Sequence, residues 1–363
     1  MTAPQDARSV LRRFQIAGQL TEFAPHGGGH INDSYRAVYQ DAGGIDRYLL
    51  QRINHAVFKQ PAALMQNIAR VTTHLTAKSS DPQRTLTLIP ACDGTWVHHD
   101  DAGNWWRVYR FIENAHSCEA AQSPAQAFEA AKCMGHFQRQ LADLPPPRLH
   151  DTIPDFHHTP KRHAALCAAI EADVLNRAAA VKSEIDFALR HEPTSRLLLE
   201  ADLPERVTHN DTKINNVLLD DRTGEGVCLV DLDTVMPGLV VYDFGDMVRT
   251  TTSSAEEDER DLTKVTMRLP MFAALLNGYL ETSAEFLTNA ERNMLVCSGK
   301  VITLEMGLRF LTDYLVGDTY YKTHRPGQNL DRCRTQFHLV QSLEDHEAQM
   351  HQIMNSIMTG SGS

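Results

Sequence analysis

The sequence predicts an α+β protein of two lobes, a small antiparallel-sheet lobe followed by a large, mainly helical one. Three observations carry that expectation. Short strand-like apolar runs broken by turns fill the chain up to about residue 112, whereas the rest reads mostly at helical spacing. Two short apolar strands bearing Asp and Asn are embedded in the helical part, over 206–234. At 363 residues the chain is also long for one compact core.

Composition narrows the class. Hydrophobic residues make up 42% and charged residues 22%, as in an ordinary globular protein in water. A formal net charge of -11 argues against a phosphate-backbone binder, because nucleic-acid affinity needs a basic face. A small-molecule partner is expected, with no nucleic acid. No apolar run reaches the roughly 18 residues of a membrane span, and Met1-Thr-Ala-Pro-Gln-Asp-Ala-Arg-Ser-Val10 lacks an apolar signal core. No membrane association and a cytoplasmic location are therefore expected. Seven cysteines without C-x-x-C spacing suggest neither a disulfide framework nor a zinc site.

Residues 6–19 read as a short helix, with Val10, Leu11, Phe14 and Ala17 at helical spacing and Gly18 near the end. The segment Pro25-His-Gly-Gly-Gly-His-Ile-Asn32 then leads into a strand over 34–39, a turn over 41–44 and a strand over 48–53. Gly27, Gly28 and Gly29 let the backbone approach a ligand, and N–H groups of such a loop can cover nucleotide phosphates; a plain hairpin tip is the other reading. After Pro61 a helix runs to about Lys78, with Leu64, Ile68, Val71 and Leu75 on one face. Residues 85–89 and 105–112 complete a sheet of about five strands. The lobe boundary falls near Ile112, giving lobes of 1–112 and 113–363.

In the second lobe 124–141 is helical and stops at Leu144-Pro-Pro-Pro147. An Ala-rich stretch over 161–190 reads as a helical insertion or cap. Residues 268–280, 284–297, 299–316 and 336–358 read as further helices, and the acidic run over 256–259 as a solvated helix start. The pairs His98-His99 and His157-His158 read as solvated loop residues, since adjacent histidines on a strand point apart.

The chemistry concentrates in Arg206-Val-Thr-His-Asn-Asp-Thr-Lys-Ile-Asn-Asn-Val-Leu-Leu-Asp220 and Val227-Cys-Leu-Val-Asp-Leu-Asp-Thr234. Asn210-Asp211 is a turn dipeptide, which puts Asp211 on a loop at a strand exit, and Asn216 precedes a second strand. Residues 227–230 form a buried-strand pattern whose alternation would turn Asp231 and Asp233 the same way; two such carboxylates need a metal or a positive group between them. Any single Asp after a strand is usually a turn former or cap. The ordered set of glycine hairpin, His-Asn-Asp-x-x-x-x-Asn and strand-Asp-x-Asp instead suits phosphoryl transfer, with one carboxylate to receive a hydroxyl proton and two oxygen ligands for Mg²⁺.

That set resembles the signature of the aminoglycoside phosphotransferase and choline kinase superfamily, whose fold is that of protein kinases. Within it, Val207-Thr-His-Asn-Asp-Thr-Lys-Ile-Asn-Asn216, Asp231-Leu-Asp-Thr-Val-Met-Pro-Gly238, Tyr242-Asp-Phe-Gly-Asp246 and Arg309-Phe-Leu-Thr-Asp-Tyr-Leu315 are similar to segments of bacterial N-acetylhexosamine 1-kinases. The string over 231–238 is far more specific than the superfamily signature. The resemblance implies a protein-kinase-like two-lobe fold and an ATP- and Mg²⁺-dependent kinase acting on O1 of N-acetylhexosamines, as a monomer or weak dimer.

The resemblance also implies roles. Asp211 orients or deprotonates the anomeric hydroxyl; Asn216 and Asp231 hold Mg²⁺, with Asp233 as a further ligand or support. His209 and Asp243 brace the loop. Gly27, Gly28, Gly29, Asn32 and Gln51 meet the nucleotide, and Arg110 to Glu113, with Arg110 and Ile112, is the hinge whose backbone meets adenine. His30, Asn32, Asp211, Thr234, Arg309 and Tyr320 meet the sugar, although an ion pair with Glu305 is an alternative for Arg309. Gln51 stands where kinases carry a strand-three Lys, which leaves Lys213 or Arg52 as the phosphate-side cation. Another hexose, an amino alcohol or an aminoglycoside is the alternative acceptor, and a non-catalytic nucleotide-binding protein the alternative class.

Overall fold

The computed structural model describes residues 4–27, 31–81 and 84–360, so Gly28, Gly29 and His30 lie outside the described residues. A short helix, α1 (Pro4–Val10), is continued by one 3₁₀ turn, Leu11–Arg13. The expected helix over 6–19 is cut short because Phe14 is already extended, at φ -115°, and bridges to Ala91. Its ring packs with Val10 and Leu11 on one face of the first sheet.

That sheet has six strands: β1 (Gln19–Pro25), β2 (Asp33–Asp41), β3 (Gly44–Ile53), β4 (Leu88–Ile89), β5 (His98–His99) and β6 (Trp105–Arg110). Their order is β1-β2-β3-β6-β4, with β5 on the far end of β6, and every pairing is antiparallel. The extra strand is β5, where His98 pairs with Trp106. Only Leu88 and Ile89 of the run over 85–89 enter the ladder. Side-chain alternation sends Tyr48, Leu50, Trp106 and Val108 to the α1 face. Gln51, Arg107 and Tyr109 then face the other way, toward α2 (Pro61–Lys78), which buries Leu64, Ile68, Val71 and Leu75 as its periodicity predicts.

Beyond Ile112 the chain is mainly helical, with two small sheets set among the helices. A three-stranded sheet runs β10-β9-β7, from β7 (Ala115–His116), β9 (Val217–Asp220) and β10 (Gly226–Leu229). The other pairs β8 (Arg206–Thr208) with β11 (Met236–Gly238). Helix α3 (Pro124–Leu141) is capped by Ser123, whose side chain accepts from Gln126 N. The Ala-rich stretch over 161–190 divides into α4 (Thr159–Ala172) and α5 (Lys182–Arg190), and α6 (Glu192–Glu200) follows it.

The helix α7 (Val240–Thr251) has no counterpart in the sequence reading; it is buried nearly all round, with Asp243 and Asp246 inside the protein. Helices α8 (Leu269–Ser283), α9 (Asn289–Val316), α10 (Gln328–Asp345) and α11 (Glu347–Gly360) complete the described chain. The break expected near 298 does not occur. Gly299 lies inside the 28-residue α9, where an added Cβ would come within 2.4 Å of a Val248 methyl, so its small size serves contact with α7. The acidic run over 256–259 is a turn, not a helix start: Glu257 pairs with Arg332 at 3.2 Å and Asp258 with Arg325 at 3.0 Å.

Candidate active site

Strand β8 delivers the chain to Asn210, which takes a left-handed conformation (φ 66°) that asparagine tolerates better than most residues. The loop from 209 to 212 is held by backbone donors aimed at two carboxylates one helical turn apart on α7. His209 N and Asn210 N donate to Asp243 at 3.0 and 2.7 Å, and Thr212 N donates to Asp246 at 2.9 Å. Asp243 also accepts from Gln138 at 2.7 Å, and Asp246 pairs with Arg249 at 2.8 Å. Burial pushes the Asp243 carboxyl up; for Asp246 the same burial is outweighed by Arg249, which pulls it down. His209 adds a ring contact, Nε2 to the Val230 carbonyl at 3.0 Å, joining the loop to the end of β10.

This frame fixes Asp211, which stays partly exposed, with Lys213 Nζ at 3.3 Å from Oδ1. The Asn216 carboxamide nitrogen donates to the Asp211 carbonyl at 2.8 Å and reaches Oδ2 at 3.3 Å. The oxygen end of that amide is then its remaining polar atom. Thr234 donates its hydroxyl to the His209 carbonyl at 2.6 Å, and its own carbonyl accepts from Asn210 Nδ2 at 2.9 Å.

The alternation expected for Asp231 and Asp233 does not hold, because β10 ends at Leu229 and Leu232–Thr234 form a 3₁₀ turn. Asp231 caps that turn in a left-handed conformation (φ 60°), a sparsely populated state for a non-glycine residue that is typical of functional loops. Its side chain is open to solvent but crowded by protein, and burial, then repulsion from Asp233 and Asp211, push its carboxyl up to about 6. Asp233 turns away into the protein. One oxygen meets Arg107 in an ion pair whose two side chains are only 1% and 3% exposed; the other accepts from Asn32 Nδ2 at 2.5 Å. Arg107 in turn donates to Gln51 Oε1 at 3.0 Å, directly across the β3–β6 ladder. The positive group that Asp233 meets is therefore Arg107, which the sequence reading does not name. Arg52 is tied to Asp33, at 2.9 Å through Nε.

Arg309 of α9 lies over three rings, 5.5 Å from Phe156, 5.9 Å from Tyr320 and 5.6 Å from Tyr321. Its distance to Glu305 is 4.0 Å, so the ion pair weighed in the sequence is loose. Tyr320 is 67% exposed and is presented by Asp313, whose carboxylate accepts backbone N–H groups from Thr319, Tyr320 and Tyr321 at 2.8–2.9 Å. His157 corrects the reading of a solvated pair: it is buried and bonded to Glu305 and to the Asn210 carbonyl. At the strand end, Arg110 contacts Asp46 at 3.3 Å and Ile112 is buried. Arg110 lines a cavity of about 670 Å³ with Arg47, Arg84, Glu113 and Asp220.

A family model described as a phosphotransferase enzyme family matches residues 22–275, well over half of the sequence. The chain belongs to this phosphotransferase family. Solved structures share the architecture. A spectinomycin phosphotransferase, solved with ADP and spectinomycin, is 13% identical, with a TM-score of 0.59 over 95% of this chain and 99% of that one. An aminoglycoside phosphotransferase from Alicyclobacillus acidocaldarius is 14% identical, with a TM-score of 0.61 and 96% of both chains covered. A choline kinase from Cryptosporidium parvum is also 14% identical, with a TM-score of 0.58 over 97% of this chain and 98% of that one. At such identities the likeness is one of fold, the protein-kinase-like two-lobe architecture.

The phosphotransferase thus brings Asp211, Asn216 and Asp231 to one loop cluster, and Arg309 is linked to that loop through Glu305 and His157. Three of its buried groups escape sequence reading: Arg107, Asp246 and His157. Asp246 stands in the quoted Tyr242–Asp246 string, where three-residue spacing from Asp243 on a helix could have indicated it. Arg107 and His157 are marked only by oxygen partners fifty residues or more away along the chain, those of Asp233 and Glu305 among them. No helix among the described residues is long and apolar enough to cross a membrane.

Proposed function

We propose that this phosphotransferase moves the terminal phosphoryl group of ATP to O1 of an N-acetylhexosamine, giving the sugar 1-phosphate. The carrying observation is the setting of Asp211: partly exposed, 3.3 Å from Lys213, on a loop held by two buried α7 carboxylates. An anomeric hydroxyl is acidic for an alcohol, so an aspartate suffices to orient it and take its proton. Rigid support of that loop keeps the attacking oxygen in line, which is most of what phosphoryl transfer asks of a protein.

A Mg²⁺ ion arriving with ATP would neutralise charge on the phosphate oxygens. Asn216, through its carboxamide oxygen, and Asp231 are the residues to hold it. They fit a hard cation, being oxygen donors at a point where Asp231 is crowded by Asp233 and Asp211. Among the described residues no group of three or more His, Cys, Asp and Glu forms a metal cage, and Mg²⁺ is the ion that takes one or two protein ligands and completes its shell from phosphate and water. Asp233, with both oxygens engaged, supports Asp231 rather than binding metal itself. Residues 1–112 would then serve as the nucleotide lobe and 113–363 as the catalytic and acceptor lobe.

The acceptor reading rests on charge. An aminoglycoside, choline or ethanolamine site must hold a cation, whereas this one offers the Arg309 guanidinium among Phe156, Tyr320 and Tyr321. Donors and flat faces together suit a neutral sugar ring. The test is a panel of N-acetylglucosamine, N-acetylgalactosamine, glucose, galactose, choline and spectinomycin with ATP and Mg²⁺, followed by phosphorus NMR of the product. Phosphate on O1 of the N-acetylhexosamines is expected; turnover of the cationic acceptors alone would overturn the reading. Asp211→Asn should lower kcat by about 10²–10⁴-fold while ADP binding persists. Unimpaired turnover by that variant would remove Asp211 from its role.

A further inference from the structure

His157 lies between α3 and α4, buried, and each of its ring nitrogens meets an oxygen. Nδ1 is 3.0 Å from Glu305 Oε1 on α9, and Nε2 is 3.2 Å from the Asn210 carbonyl oxygen. Both partners are acceptors. The carbonyl has no hydrogen to give, and Glu305 already takes the Thr159 hydroxyl on its other oxygen at 2.8 Å. A neutral imidazole has one N–H and one lone pair, so it would press that lone pair against one of these oxygens in the protein interior. An imidazolium satisfies both.

We propose that His157 is a positioning residue kept as an imidazolium, which ties the Asp211 loop to α9 at the helical turn that carries Arg309. The inference rests on the reading of Asp211 as base and adds a device that holds it. Every neighbouring element supports the charge. Glu305 comes from α9 and Asp246 from α7, and the Tyr242 ring of α7 stands 5.1 Å away. Burial alone would lower the pKa of the ring, but Glu305, then Asp246 and the Asn210 carbonyl, raise it above the ordinary 6.5. A second cation, Arg309, stands 4.0 Å from the same Glu305.

One carboxylate therefore serves two cations, and only one of them faces the proposed acceptor. A sugar that draws Arg309 away leaves His157 as the cation at Glu305, which strengthens the imidazolium and its hold on Asn210, the residue before Asp211. Acceptor occupancy and base geometry are linked through Glu305. Folding favours the protonated ring, so the tie is fully present below the ordinary value of 6.5 and is lost as pH rises through the higher folded value.

The decisive measurement is nitrogen NMR of the full-length protein with labelled histidine, between about pH 6 and pH 9, beside kinetics on N-acetylglucosamine. Both ring nitrogens of His157 should carry protons at neutral pH and remain so to higher pH than those of exposed histidines. His157→Gln should lower kcat about 10–100-fold, leave the ATP KM nearly unchanged and abolish the alkaline decline of the kcat profile. Glu305→Gln should bring the His157 titration down below that of exposed histidines. A singly protonated His157 at neutral pH overturns the proposal, as does a His157→Gln variant with wild-type kcat and pH profile. Should the variants fail to fold, the spectrum of the unaltered protein still decides. Should N-acetylglucosamine not be turned over, the acceptor reading falls while the NMR result stands by itself.

Discussion

Arg107 is the residue on which most of the cleft's electrostatics turn. It is fully buried beside Met65 of α2, bonded to Gln51 and paired with Asp233. Taking a guanidinium out of water is costly, and breaking such a pair by deleting one partner typically costs about 3–5 kcal/mol. Arg107→Met should therefore lower stability by about that amount in a urea titration, and Arg107→Met with Asp233→Leu should recover much of the loss. A double variant as unstable as the single one would mean that the pair contributes more than mutual neutralisation. Legibility in the sequence divides along the same line. Asp211, Asn216 and Asp231 stand in a local string whose spacing carries their chemistry, so they are readable from residues alone. Arg107 and His157 take their meaning from partners that only the fold brings near.

At the scale of elements, α9 organises the second lobe. Thr288 caps it and Glu291 completes a capping box, with Thr288 N donating to Glu291 at 2.7 Å and Glu291 N to the Thr288 hydroxyl at 3.1 Å. Glu291 also takes Arg206, the first residue of β8, at 2.6 Å, so one side chain joins the helix start to the strand that leads into the Asp211 loop. Thr288→Ala should cost about 1 kcal/mol. Glu291→Gln should cost more, about 1.5–3 kcal/mol at neutral pH, because a charged bond to Arg206 is lost. Burial pushes the Glu291 carboxyl up, but Arg206 and the Thr288 cap outweigh it and hold it below the ordinary 4.5. Its contribution is thus present above pH 4.5 and disappears as pH falls through the folded value, so the two proteins should converge in stability in acid. Parallel stability curves would contradict this. The helices with clear apolar faces, such as α2 and α3, match the sequence reading in their bounds. The uninterrupted α9 is buried on several sides, which weakens its pattern, and the single helix expected over 336–358 is two, α10 and α11, parted at His346.

For the whole molecule the question is how independent the two lobes are. The largest apolar cluster runs without interruption from Ile53, Leu64 and Tyr109 of the first lobe to Phe244, Phe272 and Ile302 of the second. Asn32 and Arg107 add polar ties across the cleft to Asp233. Scanning calorimetry should accordingly give one cooperative transition, and two well-separated ones would disprove a shared core. The substitution of Gln51 for the strand-three lysine has a practical consequence for chemical labelling. Nucleotide analogues that acylate the amine at that place in other kinases would meet a carboxamide here. The amine beside Asp211 is Lys213, where burial favours the neutral form but Asp211 and Asp246 prevail and keep it protonated. Any modification of Lys213 by such reagents should thus be slow at neutral pH, quicken in alkali, and mark the Asp211 loop in place of the sheet.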